Sequence, residues 1–172
     1  NFRVIEFHGR AIRRMSLSGR LVICNMSVEA GATCGIVPAD EETARYLREE
    51  AGVTDPVTPV LPDADAVYEE LIEIDVARLD PQVAKPHTVD NVSPVGEVEG
   101  VKIDQIVIGS CTNGRLDDLE TAAAVLRGKK VAKGTRMLVF PASWRIYKEA
   151  LRRGVIADLV AAGAVIMNPG CG

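Results

Sequence analysis

Two cysteines that follow separate apolar runs are the residues of this sequence with the clearest chemical potential. Cys111 stands in the polar stretch Ser110–Asn113 directly after the β-branched run Ile106–Ile108, and Cys171 follows the apolar run Ala164–Met167. Thiolates are ligands for zinc and for iron–sulfur clusters. The alternative is that each cysteine is a small buried hydrophobic residue. Two thiolates are too few for a four-coordinate zinc site, and one short of a [4Fe–4S] cluster that leaves one iron open.

A second pair of candidate residues lies near the amino terminus. Asn25 and Glu29 are four residues apart in a segment with helical periodicity, Arg20–Ala32, so they project from one face of the helix. The segment is otherwise apolar, and a carboxylate buried there would need a partner or a function. Such a carboxylate can transfer a proton or orient a bound water. A solvated polar face is the alternative interpretation, and it is the one favoured for the nearby Arg20.

The elements that must position the cysteines are predicted in the second half of the chain. Apolar, β-branched runs predict three strands, at Ile103–Ile108, Arg136–Phe140 and Ala164–Met167. Helical patterns predict helices at Leu116–Leu126, Trp144–Arg153 and Ile156–Ala162. Strands joined by helical crossovers run parallel, so the loops after them open at one edge of the sheet. The sequence therefore predicts one rim formed by three loops: Ser110–Asn113, Pro141–Ser143 and Asn168–Gly172.

The first half of the chain is predicted to be less regular. Strands are expected at Phe2–Phe7 and Cys34–Pro38, and helices at Arg20–Ala32 and Glu41–Ala51, the latter capped by Asp40. The alternation of apolar and polar residues from Tyr68 to Leu79 predicts a half-buried strand.

Composition limits the classes of function. The 172 residues carry a net charge of −4 and only 4% aromatic residues, which disfavours nucleic-acid binding. No apolar run approaches the ~20 residues of a membrane span. Four widely spaced cysteines, Cys24, Cys34, Cys111 and Cys171, are typical of reduced thiols in a cytoplasmic protein rather than of a disulfide scaffold.

Proline and turn residues suggest how the chain is divided. A boundary is expected near Lys85, with residues 1–85 as one part, 86–100 as an extended linker and 101–172 as the start of the next α/β subdomain. The fold class that follows is α/β, with a parallel sheet in αβα layers.

Three motifs resemble the aconitase superfamily. These are Leu21–Ala32 (LVICNMSVEAGA), Ile108–Arg115 (IGSCTNGR) and Asn168–Gly172 (NPGCG). Within the superfamily the resemblance is to the branch of 3-isopropylmalate dehydratase and homoaconitase large subunits, and Lys85–Val92 and Pro141–Ser143 resemble its archaeal type. It covers essentially the whole sequence.

The resemblance implies a [4Fe–4S] cluster held by three cysteines. By motif, Cys111 and Cys171 correspond to two of the ligands, and the third is expected beyond Gly172. Ser110, Thr112 and Asn113 belong to the cluster-binding loop. Asn25 and Glu29 match residues near the cluster, where the glutamate acts on the hydroxyl or water of the reaction and the asparagine supports the cluster environment.

The resemblance also implies a reaction and its partners. The activity would be that of a hydro-lyase, which dehydrates and rehydrates a 2- or 3-hydroxy di- or tricarboxylic acid in leucine or related amino-acid biosynthesis. Isopropylmalate, homocitrate, citramalate and dimethylmalate all stay open as substrates. The catalytic serine would belong to a separate, swivelling small subunit. An alternative of another class is a Rossmann-like module that binds a small anion, but the G-x-G-x-x-G fingerprint of such modules is missing.

The chain is expected to be a central fragment that is inactive alone and holds a cluster poorly, because one cysteine ligand is expected beyond Gly172. Mixing it with iron and sulfide and then desalting should leave little broad visible absorbance. Strong absorbance in a stoichiometric amount would contradict this expectation.

Overall fold

A computed structural model describes residues 2–171. The contacts within the chain divide it into two compact units, with the division between Gly100 and Val101. This division falls at the end of the predicted linker 86–100 and after the boundary expected near Lys85. Each unit is described by itself below.

The first unit combines short helices with two small pairs of strands. Its elements in chain order are β1 (Val4–Glu6), α1 (Arg10–Arg14), α2 (Leu17–Glu29), β2 (Cys34–Ile36), α3 (Glu41–Glu49), β3 (Gln82–Ala84) and β4 (Val92–Pro94). β1 and β2 are parallel, with Val4 opposite Cys34. β3 and β4 form an antiparallel hairpin, so the segment 86–100 carries more regular structure than the extended linker that was expected.

A buried arginine connects α2 to the start of α3. The side chain of Arg20 is only 3% exposed. Its guanidinium donates hydrogen bonds to Asp40 Oδ1 at 2.7 Å and to the carbonyl oxygens of Met15 and Arg13. Asp40 also caps α3 by accepting from the backbone N–H of Glu42. The expectation of a solvated Arg20 is therefore wrong, because a buried guanidinium is stable only where carboxylate and carbonyl oxygens satisfy it.

Two other predictions in the first unit are corrected by the structure. Helix α2 begins at Leu17 and ends at Glu29, whereas Arg20–Ala32 was predicted. The hydroxyl of Ser16 accepts a hydrogen bond from Gly19 N–H and so starts the helix earlier. Residues 68–79 form no strand; apart from a 3₁₀ turn at Val76–Arg78 they are irregular, since no strand in the described part of the chain pairs with them.

The second unit has the predicted βαβαβ order. Its elements are β5 (Gln105–Gly109), α4 (Ser110–Asn113), α5 (Leu116–Leu126), β6 (Arg136–Phe140), α6 (Trp144–Arg152), α7 (Val155–Ala162) and β7 (Val165–Ile166). The three strands form a parallel sheet in the order β5-β6-β7. Ile108 lies opposite Val139, and Val139 lies opposite Ile166. The prediction of an α/β fold with a parallel sheet is confirmed.

A single apolar core holds this unit together. Helices α5, α6 and α7 contact one another, and their buried residues pack against alternate residues of the central strand, Met137 and Val139. The largest fully buried side chains of the core include Leu119 on α5, Leu159 on α7 and Val139 on β6. Alternation along β6 directs Leu138 to the other face of the sheet. The core therefore fixes the ends of the three strands relative to one another.

Among residues 2–171, no helix combines the length and the apolar character that a membrane crossing requires.

Asp40→Asn should lower the free energy of unfolding at neutral pH by about 2 kcal/mol, because it removes the negative partner of a buried guanidinium. Asparagine still caps a helix, so the change isolates the charge. The hydrogen bond from Arg20 lowers the pKa of Asp40, with smaller contributions from backbone N–H groups. A lowered pKa stabilises the fold above the pKa of the unfolded chain, and this stabilisation is lost as the pH falls through the folded-state value.

Urea unfolding followed by circular dichroism checks this from neutral pH down through about pH 4, where an unperturbed aspartate titrates. The difference between wild type and variant should stay constant from neutral pH to about pH 4 and shrink only below it, as the pH falls towards the lowered folded-state pKa. Asp55→Asn, in an exposed loop, is the matched control and should change stability little. An equal loss of stability in both variants would contradict the assignment of a buried ion pair.

Candidate metal centre

Three loops at the carboxyl ends of β5, β6 and β7 are joined by backbone hydrogen bonds. The N–H of Ala142, after β6, donates to the carbonyl oxygen of Gly114 at 2.8 Å. The N–H of Gly170, after β7, donates to the carbonyl oxygen of Pro141 at 3.2 Å. The loop after the central strand therefore bonds to the loops on both sides. This is the single rim that the strand order predicted.

The chain enters the Cys111 segment through two residues with positive φ. Gly109 has φ of 116° and Ser110 has φ of 76°. A side chain at Gly109 would collide with the carbonyl oxygen of Phe140, so glycine is required there both by conformation and by space. Positive φ is uncommon for a residue such as serine, and the strain it carries is held by the surrounding structure. The segment Ser110–Asn113 then forms a short helix instead of the predicted polar loop.

The backbone of α4 is held close to the end of β6. Gly114 N–H donates to the carbonyl oxygen of Ser110 at 3.0 Å, and the Ser110 hydroxyl accepts from Thr112 N–H at 3.4 Å. A Cβ on Gly114 would lie 2.5 Å from that Ser110 oxygen and 2.8 Å from Ala142 N, and it would also meet the carbonyl oxygen of Phe140. Because the φ of Gly114 is −103°, which any residue adopts, space alone requires glycine here.

The rim brings the two candidate sulfur atoms together. Cys111 Sγ lies 3.8 Å from Cys171 Sγ, although sixty positions separate the residues in the sequence. Both side chains are exposed to solvent. The hydrogen bond to Cys111 raises the pKa of Cys171, and the negative charge that Cys111 carries when ionised raises it further. Two neighbouring thiolates repel each other, and a cation between them would offset that repulsion.

The other predicted residues of the Cys111 segment have structural partners. Asn113 donates from its amide nitrogen to Asp118 Oδ1 at 3.3 Å, and Asp118 Oδ2 accepts from the N–H of Arg115 at 3.0 Å. Asp118 thereby links Asn113 to the first turn of α5. Among His, Cys, Asp and Glu residues in the described part of the chain, no group of three or more is placed to hold a metal ion.

Arg115 is a rim residue that the sequence analysis did not select. Its Nε is buried and has no hydrogen-bond partner among residues 2–171. A buried donor of this kind is uncommon in folded proteins. The only signal in the sequence was the position of Arg115, directly after the Ser110–Gly114 segment.

Asn25 and Glu29 lie in the first unit, on the last two turns of α2. Both are exposed, as in the alternative interpretation of a solvated polar face. The buried residues of α2 are Arg20 and Ser27. The spacing of four within the helix is as predicted, and the two side chains share one face.

The sequence profile of the aconitase family (aconitate hydratase) matches residues 2–172. The chain belongs to the aconitase family. It is 51% identical over 171 residues to 3-isopropylmalate dehydratase large subunit 1 of Methanopyrus kandleri. It is 48% identical to 3-isopropylmalate dehydratase large subunit 2 of Archaeoglobus fulgidus and to the probable methanogen homoaconitase large subunit of Methanosarcina mazei.

These alignments cover 99% of this chain but only 40–43% of each relative. The chain thus spans about two fifths of the length of the relatives it matches. The resemblance to the aconitase superfamily that the motifs indicated is confirmed.

Gly114→Ala should separate the two sulfurs and lower the free energy of unfolding by about 2 kcal/mol, because the added methyl group overpacks the contact with β6. The yield of a short thiol-bridging reagent across Cys111 and Cys171 measures the separation, and urea unfolding measures the stability. Gly96→Ala is the control, since its added methyl group meets open space. Unchanged bridging in a stably folded Gly114→Ala protein would show that this contact does not set the distance.

Proposed function

We propose that this chain forms part of the large subunit of an iron–sulfur hydro-lyase of the 3-isopropylmalate dehydratase type. Such an enzyme dehydrates a hydroxy di- or tricarboxylic acid and rehydrates the resulting alkene at the neighbouring carbon. The observation that carries the proposal is the 3.8 Å approach of two exposed cysteine sulfurs at one sheet edge, in a chain of the aconitase family.

The donor set of the rim is compatible with a [4Fe–4S] cluster. Such clusters are held by cysteine thiolates, and Cys111 and Cys171 present two of them side by side at the surface. The third ligand is proposed to lie beyond Gly172. When bound, the cluster supplies a Lewis-acidic iron that polarises the hydroxyl of the substrate.

The residues of the Cys111 segment are proposed to keep the ligands in place. The hydrogen bond between Ala142 and Gly114 fixes one side of the rim, and the hydrogen bond between Gly170 and Pro141 fixes the other. Ser110, Thr112 and Asn113 flank the first cysteine in the sequence, the Ser110 hydroxyl accepts from Thr112 N–H, and Asp118 accepts from the Asn113 amide. A rigid backbone of this kind sets the distance between donors before a metal group binds.

Glu29 is proposed to hold or move a proton at the reacting hydroxyl or at a water molecule. Its carboxylate is exposed at the end of α2, so it is accessible to a substrate. Asn25 presents an amide on the same face one turn earlier and is proposed to support the cluster environment. A carboxylate in hydrogen-bond reach of the reacting group is the usual requirement for general acid–base catalysis.

The substrate and partners are proposed from the relatives. Several relatives are named as large subunits, which supports a small subunit as partner. We propose that this small subunit carries the catalytic serine. We also propose that the enzyme, with its reduced thiols, is located in the cytoplasm. Homoaconitase is the second candidate function, because a homoaconitase relative is as similar as a 3-isopropylmalate dehydratase relative, at 48% identity.

The test uses the full-length large subunit with its small subunit. Cys111→Ser and Cys171→Ser should each lose the visible absorbance of the cluster together with the dehydration of isopropylmalate or homocitrate. Glu29→Gln should keep the absorbance but lower turnover by about 100-fold or more, the usual effect of losing an acid–base group.

Cys34→Ser is the matched control, since Cys34 is an exposed thiol of β2 in the first unit, and it should keep both absorbance and activity. Full cluster content in the Cys171→Ser protein would contradict the assignment of the ligands. Comparison of turnover with the two substrates then decides between the two candidate functions.

A further inference from the structure

We propose that the second unit binds a small aliphatic carboxylate in a pocket lined by the chain before β5 and by the connection from α5 to β6. The pocket has a volume of about 600 Å³, which lies within the usual range for small-molecule sites. It is found at the amino ends of β5 and β6, whereas the rim with Cys111 and Cys171 is found at the carboxyl ends of the strands. The site therefore does not depend on the proposed function.

The inner side of the pocket is apolar. Ile106 on β5, Leu126 at the end of α5 and Met137 on β6 line it, and all three belong to the apolar core of the unit or pack against it. Met137 is only 3% exposed. An aliphatic chain that lies on these side chains is removed from water, which favours binding.

Hydrogen bonds hold both walls of the pocket in place. One wall is the segment 101–103, and the carbonyl oxygen of Ile103 accepts from the Thr135 hydroxyl at 2.9 Å. The other wall is the connection that follows α5, in which Val131 N–H donates to the carbonyl oxygen of Ala162 at 2.8 Å. The pocket is therefore formed before a ligand binds, which lowers the entropic cost of binding.

The charge around the pocket is positive. Among the described residues that line it, the charged ones are Lys102, Lys130 and Lys133, and none is acidic. All three lysines are exposed, in a chain whose net charge is −4. Lys102 also lies 3.3 Å from Asp104, and Lys130 donates to the carbonyl oxygen of Ala161 at 2.5 Å. Each ammonium group has three donors, so these contacts leave donors for a bound anion.

An apolar inner side and a positively charged edge together select an amphipathic anion. The carboxylate of such a ligand pairs with the lysines, and its aliphatic body covers the apolar side chains. An exposed ion pair by itself contributes little in water. The aliphatic body is therefore expected to supply most of the affinity, and the charge to orient the ligand.

The test titrates sodium octanoate into the full-length large subunit by isothermal titration calorimetry. Octanoate should bind at a saturable site. Acetate, which lacks the aliphatic body, should bind about 100-fold more weakly or less. Octanamide, which lacks the charge, should bind about tenfold more weakly.

Variants and a lysine footprint locate the site. The double variant Lys130→Gln/Lys133→Gln should weaken octanoate binding about tenfold. Lys129→Gln is the matched control, because Lys129 is an exposed neighbour that does not line the pocket, and it should leave the affinity unchanged. Circular dichroism should be unchanged in both proteins. Octanoate should also slow the acetylation of Lys130 and Lys133 by N-hydroxysuccinimidyl acetate, measured by mass spectrometry, without slowing that of Lys129.

Four results would overturn the inference. These are no binding of octanoate, equal affinity for acetate and octanoate, unchanged affinity in the double variant, and equal protection of Lys129 and Lys133. Neither cluster content nor turnover is measured in this experiment. Its failure therefore leaves the proposed function standing, and a large subunit that never loads a cluster can still bind octanoate in this pocket.

Discussion

The close approach of the Cys111 segment to the end of β6 is the contact on which the candidate site depends. Gly109 and Gly114 lie against the carbonyl oxygen of Phe140 at a distance that leaves no room for a Cβ. This contact brings α4 beside the loop of Pro141, and the loop of Pro141 in turn bonds to Gly170. The position of Cys111 relative to Cys171 is therefore set by backbone atoms of the central strand.

The two units are stabilised by different interactions. Every apolar residue that is fully buried among residues 2–171 belongs to the second unit, whereas the buried residues of the first unit are polar: Arg20, Ser27 and Ser93. Large apolar side chains such as Val60, Val67 and Leu71 are more than 80% exposed in the first unit. Exposed apolar surface of this extent is typical of surfaces that pack against another part of a protein or a partner.

The proposed cluster ligands lie in the unit with an apolar core, whereas Asn25 and Glu29 lie in the unit whose buried residues are polar. The cysteines stand on strand ends that a continuous apolar core holds in register, so their separation follows from the fold of the second unit. Asn25 and Glu29 stand on a helix that is anchored on one side through Arg20, and their side chains point to solvent. The helix fixes their spacing, and both side chains are exposed.

The sequence alone determined the order of elements in the second unit, the parallel sheet and the family, because these follow from local periodicity and from motifs that are continuous in the chain. It also determined that Cys111 and Cys171 follow strands that end at one edge. Only the tertiary structure decided that the sulfurs lie 3.8 Å apart, that Arg20 is buried against Asp40 and that residues 68–79 form no strand. Each of these depends on contacts between distant segments: a strand needs a partner, and a buried charge needs a counter-charge. Neither is encoded in the pattern of a single segment.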